Sequence, residues 1–175
     1  LQDRVPPFPG AIARATAERA YGKPLSAVFG AFDETPLAAA SIAQVHVARL
    51  PDGREVVVKV LRPGMREVIE RDLEVLDALA ALAARWWPGS ERLRPVEVVQ
   101  EYRKTIVDEL DLMREAANAA QLRRNFAGSR LLYVPEVHWD LCRVDVMVME
   151  RIHGIPLSDV AALTAALDSG VDINA

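Results

Sequence analysis

The chain has 175 residues, 51% of them hydrophobic and 26% charged, with a formal net charge of −4. This composition is that of a globular chain able to bury a sizeable core, and it excludes a disordered segment. No basic tract stands out, which argues against a nucleic-acid partner, and the single cysteine, Cys142, excludes an internal disulfide and suits a reducing compartment.

In chain order, residues 1–9 are proline-rich and extended. A short helix is predicted over 11–21, stopped by Gly22 and Pro24, with one more turn at 25–29. A strand over 31–37 enters the run Leu37-Ala38-Ala39-Ala40-Ser41-Ile42-Ala43-Gln44-Val45, and a second strand continues over 42–50. Pro51-Asp52-Gly53 is a turn signal. A third strand follows over 55–61, and Arg62-Pro63-Gly64 ends it. Residues 65–87 read as one long helix with Val68, Ile69, Leu73, Leu76, Leu79, Ala80 and Ala83 on one stripe. Glu74, Asp77 and Arg85 interrupt its apolar stretch, so it is no transmembrane span. Trp86 and Trp87 read as packing at its end. Pro88-Gly89-Ser90 breaks it, Pro95 opens the next, and helical spacing runs over 96–126, with Gly128 as its cap. Two short strands are predicted at 133–139 and 144–150, then a hinge at 151–157 and a helix over 158–167 capped by Ser158-Asp159. The chain starts without an initiator methionine and stops without a closing element, which we read as a fragment.

The alanine run carries the first chemical signal. Ala38, Ala40, Ala43 and Val45 fall on the spacing G-x-G-x-x-G-x-V of a phosphate-covering loop, with alanine at each glycine position. Such a loop needs small side chains so that backbone N–H groups can approach an anion. Alanine keeps the size and gives up positive φ, so the loop is expected to be stiffer. The other reading is the start of a helix, but the β-branched Ile42, Val45 and Val47 downstream favour strand–loop–strand. Lys59 is the second signal. It is one of only three lysines, against eighteen arginines, and it sits in a valine strand on the face shared with Val57. An edge-strand lysine that blunts aggregation is the alternative.

A lysine among valines calls for a carboxylate. The best candidate is Glu115, read as mid-helix among small residues. Glu109 and Asp111 form a separate Glu-x-Asp pair upstream. Val148-Met149-Glu150-Arg151-Ile152 has the form of a nucleotide hinge, with Met149 as gatekeeper and the backbone of Glu150 and Ile152 available to an adenine edge. His46, His138 and His153 have no metal-ligand spacing and read as structural; Cys142 reads as inert.

On these motifs the chain resembles the UbiB family of atypical protein-kinase-like proteins. The resemblance runs from Leu1-Gln2-Asp3-Arg4-Val5 through the Ala38–His46 loop, Val58-Lys59-Val60, Arg62-Pro63-Gly64 and Glu109 to Ala116. It implies an α+β fold, the N-terminal lobe of a protein-kinase-like enzyme. That lobe would hold a five-stranded antiparallel sheet, a helix whose acid pairs Lys59, a family-specific helical insertion at 65–93 and an N-terminal helix. In domain terms, 1–30 would be an N-terminal extension, 31–157 the lobe, and 158–175 the start of a truncated C-terminal lobe. The resemblance also implies Lys59 paired with Glu115 as catalytic residues, ATP beneath Leu37 to Val45 and against the hinge, and Glu109 and Asp111 as the Glu-x-Asp motif facing an upstream Lys-x-Gly-Gln segment. Mg²⁺ is expected in the intact protein, on ligands outside this chain, as are the catalytic-loop Asp and Asn, so the chain alone is expected to be inactive. Implied partners are isoprenoid lipid or quinone-biosynthesis proteins, with a cytoplasmic location peripheral to the inner membrane through parts not present here. Two other functions stay open: a non-catalytic regulatory or lipid-access module, and a small-molecule phosphotransferase of similar fold.

Overall fold

The computed structural model describes residues 6–87, 90–155, 161 and 164–165. Its centre is a four-stranded antiparallel sheet in the order β1-β2-β3-β4. The strands are β1 (Ala31–Ala39), β2 (Ala43–Arg49), β3 (Glu55–Leu61) and β4 (Val146–Glu150). The valines of β3 fix its orientation. Val56, Val58 and Val60 are fully buried on one face, while Val57 and Lys59 alternate onto the other. β3 pairs with β2 on one side and β4 on the other, so Lys59 is not an edge-strand lysine. β1 is one edge of the sheet, and there Pro36 sits between two register shifts, a position where a proline is tolerated.

Helix α1 (Gly10–Tyr21) covers the valine face. Ala13, Ala17, Leu25 and Phe29 pack there against Val56, Val58, Val60, Val146 and Val148. The approach is close: a Cβ on Gly10 would stand 2.0 Å from the Glu34 carbonyl oxygen. Gly22 ends α1 at φ 66, which favours glycine. On the opposite face Leu61 and Met147 join Leu110, Leu112, Ala116 and Cys142 in a second core. Helix α2 (Met65–Trp86), the short α3 (Ser90–Leu93) and α4 (Pro95–Glu109) form a hairpin, followed by α5 (Leu112–Asn125), which lies against β4. Among the described residues no helix is long and apolar enough to cross a membrane.

Four expectations need correction. Among the described residues the sheet has four strands, not five. Residues 133–139 make a single bridge, Val137 with Met149, flanked by His138 N–H donating to Val148 O at 2.9 Å and Glu150 N–H to Glu136 O at 2.8 Å; Pro135 removes the donor a longer ladder would need. The single helix expected over 96–126 is two, because the chain turns at Leu110 and Asp111. There Leu112 N–H leaves the helical pattern to bond Val144 O at 2.9 Å, and the Asp111 carboxylate caps α5 by accepting from Met113 N–H at 2.9 Å. Glu115 is therefore in the first turn of α5 rather than mid-helix. Trp86 and Trp87 do not pack; they are 70% and 67% exposed. The helix expected over 158–167, the lobe expected to begin at 158 and the Leu1–Val5 part of the family pattern lie wholly or largely outside the described residues.

Candidate functional site

The functional geometry starts on β3. Lys59 leaves the face opposite the valine core, its stem half-buried, and its Nζ donates to both carboxylate oxygens of Glu115 at 2.6 Å. Glu115 reaches β3 because the cap at Asp111 starts a new helix four residues before it and aims that first turn at the sheet. The pair bridges 56 residues of sequence and joins α5 to the central strand.

The cleft beside the pair holds about 710 Å³ and is lined by Ile42, Lys59, Glu109, Asp111, Arg114 and Glu115, with Thr105, Asp108 and Asn118. Glu109 and Asp111 sit at the break between α4 and α5, so both expected acids reach this wall. Arg114 ion-pairs with Asp108 across the same break. Among the described residues there is no group of three or more His, Cys, Asp or Glu able to hold a metal ion.

The alanine run is a hairpin loop. β1 ends at Ala39, Ala40 N–H donates to Ala43 O at 2.8 Å, and β2 begins at Ala43. Ala38 pairs with Val45, which pairs with Lys59, so these three residues share a face. Ile42 lies between the loop and the second core. Leu37 and Ser41 are exposed.

Gln44 points the other way. Its side chain is buried on the α1 face, accepts from Phe8 N–H at 2.9 Å and donates to Phe8 O at 3.0 Å. It also meets His46 Nε2 at 3.1 Å, while His46 Nδ1 lies 2.9 Å from the Asp33 carbonyl. A carbonyl only accepts, so Nδ1 carries the proton and Nε2 accepts from Gln44. Burial holds His46 below the usual histidine range, with the Asp33 carbonyl opposing. These two side chains tie the N-terminal segment and β1 to the sheet; they do not face the cleft.

At the far end of the sheet, Met149 pairs with Val57 on the side of Lys59. The Glu150 carboxylate accepts from Tyr133 Oη at 2.6 Å and from Glu136 N–H at 3.1 Å. These contacts hold it below the usual carboxylate range, the tyrosine first. The Glu150 amide is taken by Glu136. Past it, Arg151 Nη1 and His153 Nε2 lie 3.1 and 3.2 Å from Glu55 Oε2, which straps the hinge, with Ile152 between them, to the start of β3. Of the loop and hinge residues expected at the nucleotide, Ile42 alone is in the wall of the Lys59 cleft; residues 37–41 and 43–45, Met149, Glu150 and Ile152 are not.

Arg62 is a residue whose role the sequence reading missed. Its amide donates to Ile42 O at 2.8 Å, its Nε to Ser41 O at 3.2 Å and its Nη2 to Pro6 O at 3.2 Å, and its guanidinium stands 5.0 Å over the Phe8 ring. It holds the alanine loop from behind. In the sequence the Arg-Pro-Gly motif marks a strand end and a family match, with no contact to the loop implied; an arginine one residue past a strand that pairs with the loop is the available signal.

A family model described as the ABC1 atypical kinase-like domain matches residues 1–174. The chain is 64% identical over 166 residues to a protein of Aeromonas hydrophila named probable protein kinase UbiB, a match covering 94% of this chain and 30% of that protein. A Marinobacter nauticus protein of the same name is 57% identical over 166 residues, covering 95% of this chain and 30% of its own length. Among solved structures, one titled the complex structure of Rv3197-erythromycin from Mycobacterium tuberculosis superposes with a TM-score of 0.76 at 30% identity, covering 90% of this chain and 39% of that one. The chain thus spans about 30% of the length of the curated relatives it matches.

Proposed function

The chain belongs to the ABC1 atypical kinase-like domain family, and on that premise we propose that it is the ATP-binding half of a kinase-like cleft, built around Lys59. The observation that carries the reading is the two-oxygen contact of Lys59 with Glu115 at 2.6 Å on an interior strand, beside a loop of small residues. The fit is chemical. Glu115 holds the ammonium extended over the cleft, where it would bind the α- and β-phosphates. The small side chains of Ala38 and Ala40 leave room for a phosphate chain, the methyl of Ala43 being buried under the loop, and Arg62 keeps the loop from opening. The Glu150 carbonyl, whose amide is already engaged, and the Ile152 amide would read the adenine edge, with Met149 limiting depth. ATP, when bound, supplies the transferable phosphoryl group. The residues assigned here bind and orient it; those that would hold Mg²⁺ and activate an acceptor are not among them, so we assign binding and not turnover to this chain. From the name its relatives carry, we further infer that the pathway served is ubiquinone or related isoprenoid-lipid synthesis.

Titration with a non-hydrolysable ATP analogue tests the reading. Lys59→Met removes a charge-assisted contact worth roughly 1.5–3 kcal/mol, hence a loss of ten- to a hundredfold in affinity. Equal affinity in the two proteins would overturn it.

A further inference from the structure

The start of α2 is bare. Gly64 precedes it at φ 76, no side chain caps it, and the amides of Met65, Arg66 and Glu67 find no acceptor among the described residues. A helix of 22 residues therefore begins with a cluster of unsatisfied N–H groups at its positive pole. That end opens on a hollow of about 130 Å³, whose wall also takes in Thr16 and Arg19 of α1, Arg62, and Asp145 just before β4. The hollow shares no residue with the Lys59 cleft.

Thr16 shows that a guest belongs there. It is only 5% exposed, and its hydroxyl is the one buried side-chain polar atom without a hydrogen-bond partner among the described residues. A helical threonine can return its hydroxyl to the carbonyl one turn back; this one does not, and lines the hollow instead. A buried donor without an acceptor is costly unless something in the hollow accepts from it. The charges agree. Arg19, Arg62 and Arg66 stand around the hollow with Glu67 and Asp145, yet among the described residues none of the three pairs with either carboxylate. Arg62 and Arg66 bond the carbonyls of Ser41, Pro6 and Leu110, and the Arg19 side chain has no partner among the described residues.

We propose that this hollow binds inorganic phosphate. Its volume is below the roughly 300–1,000 Å³ that hold drug-sized ligands and suits a small tetrahedral oxyanion. The amides at the start of α2, the Thr16 hydroxyl and the Arg19 guanidinium donate to its oxygens, and Arg62 and Arg66 add positive charge. Glu67 and Asp145 would repel a bare anion; they accept from the P–OH that inorganic phosphate keeps at neutral pH and sulfate lacks. The site owes nothing to Lys59.

The test is thermal melting of the chain in inorganic phosphate, with ionic strength held by chloride, alongside the phosphorus NMR linewidth of the phosphate. The melting temperature should rise by about 2–4 °C, and the phosphate resonance should broaden. Sulfate strengthens burial by the same exclusion from protein surfaces, but should bind several-fold more weakly. Glycerol phosphate, a bulkier monoester, should also bind more weakly. Thr16→Val and Arg19→Gln should each weaken phosphate about tenfold. Thr16→Val should leave the phosphate-free melting temperature unchanged or higher, because a methyl replaces an unpartnered hydroxyl. Lys59→Met should bind phosphate as the parent chain does. A rise no larger than in sulfate, a response indifferent to Thr16→Val and Arg19→Gln, or tighter binding of glycerol phosphate overturns the proposal. So does a response lost in Lys59→Met and kept in Thr16→Val, which would place the phosphate in the nucleotide cleft.

Discussion

Breaking the Lys59–Glu115 contact should cost stability by an amount the structure bounds. A sheltered charge-assisted hydrogen bond contributes roughly 1.5–3 kcal/mol, and an exposed ion pair about 0.2–1 kcal/mol. The Lys59 side chain is 23% exposed and that of Glu115 44%, so water screens the carboxylate while the ammonium is half sheltered. The coupling between them should therefore be about 1 kcal/mol. The perturbation is a double-mutant cycle of Lys59→Met, Glu115→Gln and the pair, read by urea unfolding with circular dichroism. Added salt should reduce the coupling, because one partner faces solvent. Additive single effects, with a coupling below about 0.3 kcal/mol, would mean that the two groups do not hold each other in solution.

Other outcomes follow from single positions. Asp111→Ala removes the α5 cap and should cost about 0.5–2 kcal/mol by urea unfolding; because that cap also aims Glu115, it should weaken nucleotide binding as well. Gly10→Ala drives a methyl into the Glu34 carbonyl and should destabilise by about 1–3 kcal/mol, since a helix-propensity gain of up to about 1 kcal/mol does not offset it; an unchanged melting temperature would refute the close approach. Burial holds His46 below the ordinary histidine value of about 6.5, so the unfolded chain takes up its proton first as pH falls. Its contribution is complete above pH 6.5 and declines below it, by up to about 1.4 kcal/mol per pH unit, until the folded group titrates. Asp52, Glu55 and Glu150 are held below ordinary carboxylate values and enter only at lower pH. His46→Asn should flatten stability between pH 6.5 and the carboxylate range, measured by thermal melts across pH.

What could be read from residues alone was what local chemistry decides. The alternation Val56-Val57-Val58-Lys59-Val60 sets both faces of β3, and Pro51-Asp52-Gly53 sets its register against β2. The loop was legible because its flanks are β-branched. The break at Leu110 was not, because Asp111 was weighed as half of an acidic pair and not as a cap ahead of an apolar residue. The missing fifth strand follows the same course: β-prone residues around Pro135 lack the donor a ladder needs. Gln44 sits within the loop motif, yet period-two geometry turns its side chain to the face away from Lys59. Its bond to Phe8, 36 residues distant, leaves no mark in local sequence. Arg62 was hidden for the same reason, its partners being the carbonyls of Ser41, Ile42 and Pro6.

The central claim concerns where a nucleotide sits. A crystal structure of the chain with a non-hydrolysable ATP analogue should place a phosphate oxygen within hydrogen-bond distance of Lys59 Nζ, beneath Ala38 to Ala43. Density for the nucleotide on the α1 face of the sheet, or in the groove between α5 and residues 126–139, would contradict it.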